Sequence, residues 1–186
     1  VFLFLRRVRA HMNDSIPYKN ATFRPITDRF GRLFDTVRIA INERCNLRCV
    51  YCMPEDKVFQ PNSNLLQPNE LFRLIDITAQ MGIKKIRFTG GEPLLHPQII
   101  NLVRYASHTD GIRSVHITTN GVLLERKLEP LIEAGLSGVN ISIDSLEKSR
   151  FHKITRRPFL EKVIRSIKAS AASPLQSVKM NIVALR

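Results

Sequence analysis

Short β-branched runs alternate with longer amphipathic stretches along most of this chain, and that alternation leaves few folds open to it. The runs lie at 37–41, 85–88, 115–118, 139–143 and 178–183. Between them, 69–81, 97–107, 123–134 and 159–171 carry apolar residues three and four apart, the period of a helix with one buried face. Gly82, Gly111 and Gly135 stand where three of these helices should stop, since a left-handed cap favours a residue without Cβ. Asn69, with Phe72 behind it, and Pro97 read as helix starts. A helix between two strands uses up the return path, so the strands run parallel with right-handed crossovers. The chain is an α/β domain with a parallel sheet. Two architectures satisfy the pattern: an open doubly wound sheet, and a TIM-type β/α barrel or part of one.

In both, chemistry gathers where strands end and loops begin. Unusual signatures stand at that end of the first four runs. They are the loop Cys45–Cys52, Thr89-Gly90-Gly91-Glu92-Pro93, Thr118-Thr119-Asn120-Gly121 and Ser142-Ile143-Asp144. One active-site rim accounts for all four. The pattern defines a single domain over 31–186. Residues 1–30 are apolar for five positions and then basic, with Arg6, Arg7 and Arg9, and are expected to form a flexible basic extension. That order is the reverse of a secretory signal, and five apolar residues cannot span a bilayer, so no membrane association is expected. Location is expected to be cytoplasmic; Arg-rich, acid-poor starts also occur in organelle transit peptides, which leaves targeting open. No helix follows the fifth run. A barrel would therefore be partial (incomplete), and the chain is expected to be truncated at the C-terminus.

All three cysteines lie within eight residues of one another. An odd, tightly grouped set makes a poor disulfide framework, whereas thiolates in a reducing compartment can serve as metal ligands or nucleophiles. Cys45, Cys49 and Cys52 can converge from one loop on one inorganic centre. A structural zinc wants four protein ligands, and the nearest downstream histidine, His96, belongs to another loop. A zinc site recruiting that distant histidine, or three plain buried thiols, are the bland alternatives. Three thiolates on a four-iron cluster instead leave one iron open to substrate. The Cys-x3-Cys-x2-Cys spacing matches the signature of the radical S-adenosylmethionine (SAM) superfamily.

The remaining signatures divide between ligand contact and local structure. Gly90 and Gly91 let backbone groups approach a ligand such as the zwitterionic end of SAM, and Glu92 could pair with its ammonium; the alternative is a tight turn before a helix. Ser142 and Asp144 could hold ribose or amino-acid groups, while Asp144 or Ser145 could equally cap the next helix. Thr118, Thr119 and Asn120 divide the same way between turn and ligand. Twenty-nine Lys and Arg against 16 Asp and Glu give a net charge of +13, which draws in anionic partners without choosing among them. Arg38, Lys85, Arg87 and Lys179 are charges within strand runs, costly to bury without a counter-charge. On a barrel lining they could clamp a polyphosphate; at frayed strand ends they would face solvent. Arg126-Lys127 and Arg156-Arg157 are expected to be solvated surface. His96, His108, His116 and His152 show no spacing that suggests a site.

Cys45-Asn-Leu-Arg-Cys-Val-Tyr-Cys-Met-Pro54, Lys84-Lys-Ile-Arg-Phe-Thr-Gly-Gly-Glu-Pro-Leu94, Thr118–Gly121, Val139-Asn-Ile-Ser-Ile-Asp144 and Val178-Lys-Met-Asn-Ile-Val183 occur in that order. Together they resemble the molybdenum cofactor biosynthesis protein A family, the GTP 3′,8-cyclases, over about residues 29 to 186. The resemblance implies an incomplete β/α barrel and a lyase that uses a [4Fe–4S] cluster and SAM to convert GTP to 3′,8-cyclo-7,8-dihydro-GTP for molybdopterin synthesis. By matching positions it implies cluster ligation by Cys45, Cys49 and Cys52. It implies SAM contacts at Tyr51, Gly91 and Ser142, and GTP contacts at Arg38, Arg87, Thr118 and Lys179, with Lys85 a further candidate. As partners it implies a reductant that donates electrons and cyclic pyranopterin monophosphate synthase as the next enzyme. It leaves room for a homodimer, and no nucleic acid is expected. The family also carries a second [4Fe–4S] cluster on C-terminal cysteines, and no cysteine follows Cys52 here. The chain alone is therefore expected to hold one cluster and not to complete cyclisation.

Two other readings use the same residues. One is a radical SAM enzyme acting on a peptide or another nucleoside. The other is a basic zinc or iron–sulfur module that binds RNA. The second has little to stack bases on, with no Trp and only three Tyr.

Overall fold

In the computed structural model, residues 2–3, 24–61 and 64–184 are described, so the expected extension over 1–30 falls largely outside the described residues. The strands are β1 (Phe2–Leu3), β2 (Thr36–Ala40), β3 (Lys85–Thr89), β4 (Ser114–Thr119), β5 (Gly138–Ser142) and β6 (Ser177–Asn181). The helices are α1 (Pro68–Gln80), α2 (Ile99–His108), α3 (Leu124–Glu133), α4 (Lys148–Thr155) and α5 (Leu160–Ala171). All strands pair in parallel, in the order β1-β2-β3-β4-β5-β6. Because the order never reverses, every crossover steps the same way and the helices gather on one face of the sheet. A doubly wound sheet would reverse at a switch point. The architecture is thus a partial β/α barrel, with the strand faces not covered by helices lining its concave side.

Period-two alternation decides which residues go where. Val37, Ile39, Ile86, Phe88, Val115, Ile117, Val139 and Ile141 are buried toward the helices, and Leu71, Ile75, Leu102, Val103, Leu131 and Val163 belong to the same core cluster. The intervening residues face the concave side. Gly82 and Gly135 follow α1 and α3 at φ of 84° and 93°, as a left-handed stop requires. Helix α2 instead ends on Thr109 in extended geometry, and Gly111, at φ 90°, lies two residues further on in the turn. Two starts differ from expectation. The first helix opens one residue earlier, at Pro68, because Gln67 and Glu70 close a capping box around it. The second opens at Ile99, leaving Pro97 outside. Helix α4 has no counterpart in the sequence pattern, since eight residues with two buried side chains give too little periodicity to read. Among the described residues no helix is long and apolar enough to cross a membrane.

Candidate functional site

The four signatures do meet at the C-terminal ends of neighbouring strands, joined chiefly by backbone. Ile41 N–H donates to Thr89 O at 3.0 Å and Gly91 N–H to Asn42 O at 2.9 Å. Glu92 N–H donates to Arg44 O at 2.7 Å, so the glycine turn after β3 runs directly against the start of the cysteine loop. The glycines are required by this packing. A Cβ on Gly91 would lie 2.4 Å from the carbonyl oxygens of both Glu43 and Arg44, and one on Gly90 would lie 2.5 Å from Asn42 O. The backbone they let in close is the chain's own.

Glu92 is fully buried. Its carboxylate accepts from Leu94 N–H at 3.0 Å, Thr119 Oγ1 at 2.7 Å and Asn120 N–H at 2.7 Å. Burial raises its pKa, and those three donors oppose the rise. These bonds make Glu92 a staple between the ends of β3 and β4. Asn120 carries the staple on to the cysteine loop: its Nδ2 lies 2.7 Å from Asn46 Oδ1 and 3.6 Å from Cys45 Sγ. On the far side, Arg48 N–H and Val50 N–H donate to Thr155 O and Ile154 O at the end of α4, at 3.0 and 2.9 Å.

Within the loop, the N–H groups of Cys52 and Met53 both turn back to Cys49 O, at 2.9 and 3.0 Å. All three cysteines are free; Cys45 and Cys49 are half-buried and Cys52 is exposed. Burial pushes the Cys45 thiol up, and burial together with the neighbouring Cys45 and Cys52 sulfurs pushes Cys49 up to about 11. Without a metal these two thiols hold their protons at neutral pH; bound iron would invert that. Among the described residues no group of three His, Cys, Asp or Glu side chains is close enough to share one metal ion. A cube of iron and sulfide asks for thiolates that reach three separate irons, and three soft donors on one half-buried loop fit that need.

Tyr51, from the same loop, donates to Asp144 Oδ2 at 2.6 Å beyond β5. Burial and that bond raise the phenol's pKa. Asp144 Oδ1 also accepts from Val183 N–H at 2.9 Å, and Glu147, not Asp144 or Ser145, occupies the N-cap position of α4, without a side-chain capping bond. Ser142 ends β5 on the concave face.

Arg38, Arg87, Thr118 and Lys179 all fall on that same face. Arg38 pairs in register with Arg87, which pairs with His116; Thr118 pairs with Asn140, which pairs with Lys179. Lys85 lies two residues before Arg87 on the same side. Burial, with Arg38 alongside, lowers the pKa of Arg87. His116 and Asn140 were not legible as site residues, yet each stands two positions before a predicted one, Thr118 and Ser142. His116 is 7% exposed, and burial with Lys85, Arg87 and Lys179 drives its pKa down to about 4. Gly138 gives its ring room, since a Cβ there would lie 2.8 Å from Nδ1. Arg87 Nε, His116 Nδ1 and Asn140 Oδ1 are buried without a hydrogen-bond partner among the described residues. Two cations expected to be solvated are engaged: Lys127 Nζ donates to Leu94 O at 2.8 Å and Arg157 pairs with Glu55.

Residues 39–186 match the family described as the radical SAM superfamily. A GTP 3′,8-cyclase of Chlorobaculum tepidum is 53% identical over 161 residues, 87% of this chain and 48% of the relative. One from Listeria welshimeri is 44% identical over 162 residues, covering 87% of this chain and 49% of the relative. The chain thus spans about half the length of the curated relatives it matches. The crystal structure of Streptococcus suis SuiB aligns with a TM-score of 0.65 at 18% identity, over 87% of this chain and 33% of that one. At that identity the likeness concerns the fold.

Proposed function

The chain belongs to the radical SAM superfamily, and from that premise we propose that it works as part of a GTP 3′,8-cyclase in molybdenum cofactor synthesis. Membership of the family implies a [4Fe–4S] cluster and SAM. Cys45, Cys49 and Cys52 would hold the cluster, which when bound supplies the single electron that splits the sulfonium of SAM. The protein's own side chains do the rest by placement.

Tyr51, Gly91 and Ser142 lie on the rim around the cysteine loop and are the proposed SAM contacts. The Tyr51 hydroxyl is held by Asp144, so the ring is positioned before any ligand arrives. Arg38, Arg87, Thr118 and Lys179 are the proposed GTP contacts, with Lys85 beside them. The observation that carries this reading is the concave row of cations. Its buried Arg87 Nε and His116 Nδ1 lack hydrogen-bond partners among the described residues, and a bound polyphosphate would supply both counter-charge and acceptors. The identity with named GTP 3′,8-cyclases supports the same choice of nucleotide. A low-potential reductant, cyclic pyranopterin monophosphate synthase as the consumer of the product and a homodimer are proposed partners. No cysteine follows Cys52, so a second cluster is not assigned to these residues.

The test is equilibrium binding of GTP to the anaerobically reconstituted chain, alongside Arg87→Ala and Lys179→Ala. Each substitution removes a charge-assisted contact worth about 1.5–3 kcal/mol, so binding should weaken roughly tenfold or more. GTP that fails to bind, or binds the variants equally well, ends the cyclase reading. A peptide-directed enzyme would give that result while still cleaving SAM. One zinc and no sulfide per chain would instead point to the RNA-binding module.

A further inference from the structure

We propose that Asn120 is a positioning residue for the cluster, whose side-chain N–H raises its reduction potential, and that Glu92 exists to aim it. The inference rests on the cluster reading alone and not on the choice of GTP.

The Asn120 carboxamide has one orientation open to it. Its Oδ1 accepts from Val122 N–H at 3.0 Å, which fixes that atom as the acceptor and sends Nδ2 the other way. One Nδ2 hydrogen is used at Asn46 Oδ1, 2.7 Å away; the other faces Cys45 Sγ at 3.6 Å. Its backbone is fixed as firmly, because Asn120 N–H donates at 2.7 Å to the fully buried Glu92 carboxylate. The neighbouring Thr119 Oγ1 donates to the same carboxylate at 2.7 Å and accepts from Gly121 N–H at 3.0 Å. A turn that needed only a stop for β4 would not require a buried acid. Cys45 also receives the Leu47 N–H at 3.4 Å, so two N–H dipoles point at a single sulfur.

The consequence follows from charge. One-electron reduction adds negative charge to the cluster and its thiolates, with the electron coming from a low-potential reductant and no bond broken. An N–H aimed at a ligating sulfur stabilises the reduced form more than the oxidised one. Removing it makes the cluster harder to reduce.

The experiment uses the whole chain, reconstituted anaerobically with iron and sulfide and titrated by electron paramagnetic resonance without SAM. Asn120→Ser keeps an oxygen that can accept from Val122 N–H but has no group that reaches Cys45. It should bind the same iron and sulfide, with the reduced-to-oxidised ratio at the wild-type midpoint about tenfold lower, or about 59 mV for one electron. Asn46→Ala, which keeps the donor, should leave the midpoint within a small fraction of that shift. An unchanged midpoint in Asn120→Ser, or an equal shift in Asn46→Ala, overturns the proposal. A second measurement needs no substitution. In wild type labelled with ¹⁵N at asparagine side-chain amides, pulsed resonance on the reduced cluster should show a nitrogen coupling, and its absence also overturns the proposal. If the wild-type chain assembles no cluster at all, the cluster reading falls and takes this inference with it.

Discussion

Gly91 shows how little tolerance the site has at the scale of single residues. Two backbone oxygens stand 2.4 Å from where its Cβ would be, and neither can swing aside as a side chain could. Gly91→Ala should lower the unfolding free energy by about 2 kcal/mol and reduce the iron retained after reconstitution, since the displaced segment is the cysteine loop. Urea denaturation and iron analysis check both parts. His116 makes a different prediction. Its folded pKa of about 4 lies below its ordinary 6.5, so the unfolded chain binds a proton that the folded chain refuses. Stability should therefore rise with pH between 4 and 6.5, and be lost as pH falls through that window. His116→Asn should flatten this part of the profile. Urea midpoints measured across the window give the comparison, and parallel curves for the two proteins would show that His116 is not the group responsible.

At the scale of elements, the strands act as rulers. Because their period is two, placing Ile86 and Phe88 against the helices forces Lys85 and Arg87 to the concave side, and a slip of one residue would put both cations in the core. The register observed, Arg38 to Arg87 to His116, is thus fixed by the apolar residues between them. Helix α4 is held less tightly. Its C-cap is Arg156 at φ 56°, the one non-glycine residue with positive φ among those described. Replacing it with glycine should stabilise the chain by about 1 kcal/mol, because a side chain in the left-handed region is strained. The denaturation midpoint should rise with an unchanged slope. Since the carbonyls of Ile154 and Thr155 hold the cysteine loop, Arg156→Gly should also leave iron binding intact.

Over the whole molecule, the cysteine loop is where three parts of the chain are tied together: the turn after β3, the Asn120 turn after β4 and the end of α4. A ligand bound there stabilises all of them at once. At a hundredfold excess over its dissociation constant it would add about 2.7 kcal/mol, a rise of roughly 5–10 °C in thermal midpoint for a chain of this size. Anaerobic reconstitution should produce that rise in wild type and not in a Cys49→Ala, Cys52→Ala double variant; equal midpoints would mean the loop holds nothing that matters to the fold.

The order of strands and helices, the polar rim and the grouping of three free thiols on one loop were legible from residues 36–183, because periodicity and close spacing are local properties that a chain carries wherever it folds. The sequence pattern left two architectures open, and only the unreversed strand order chose the partial barrel. Nor could spacing say that Glu92 is buried against Thr119 and Asn120, residues 27 and 28 positions away, or that His116 lies beside Arg87. Those are contacts between different strands. Their partners are selected by register and by the desolvation of charge, and both exist only once the sheet has formed.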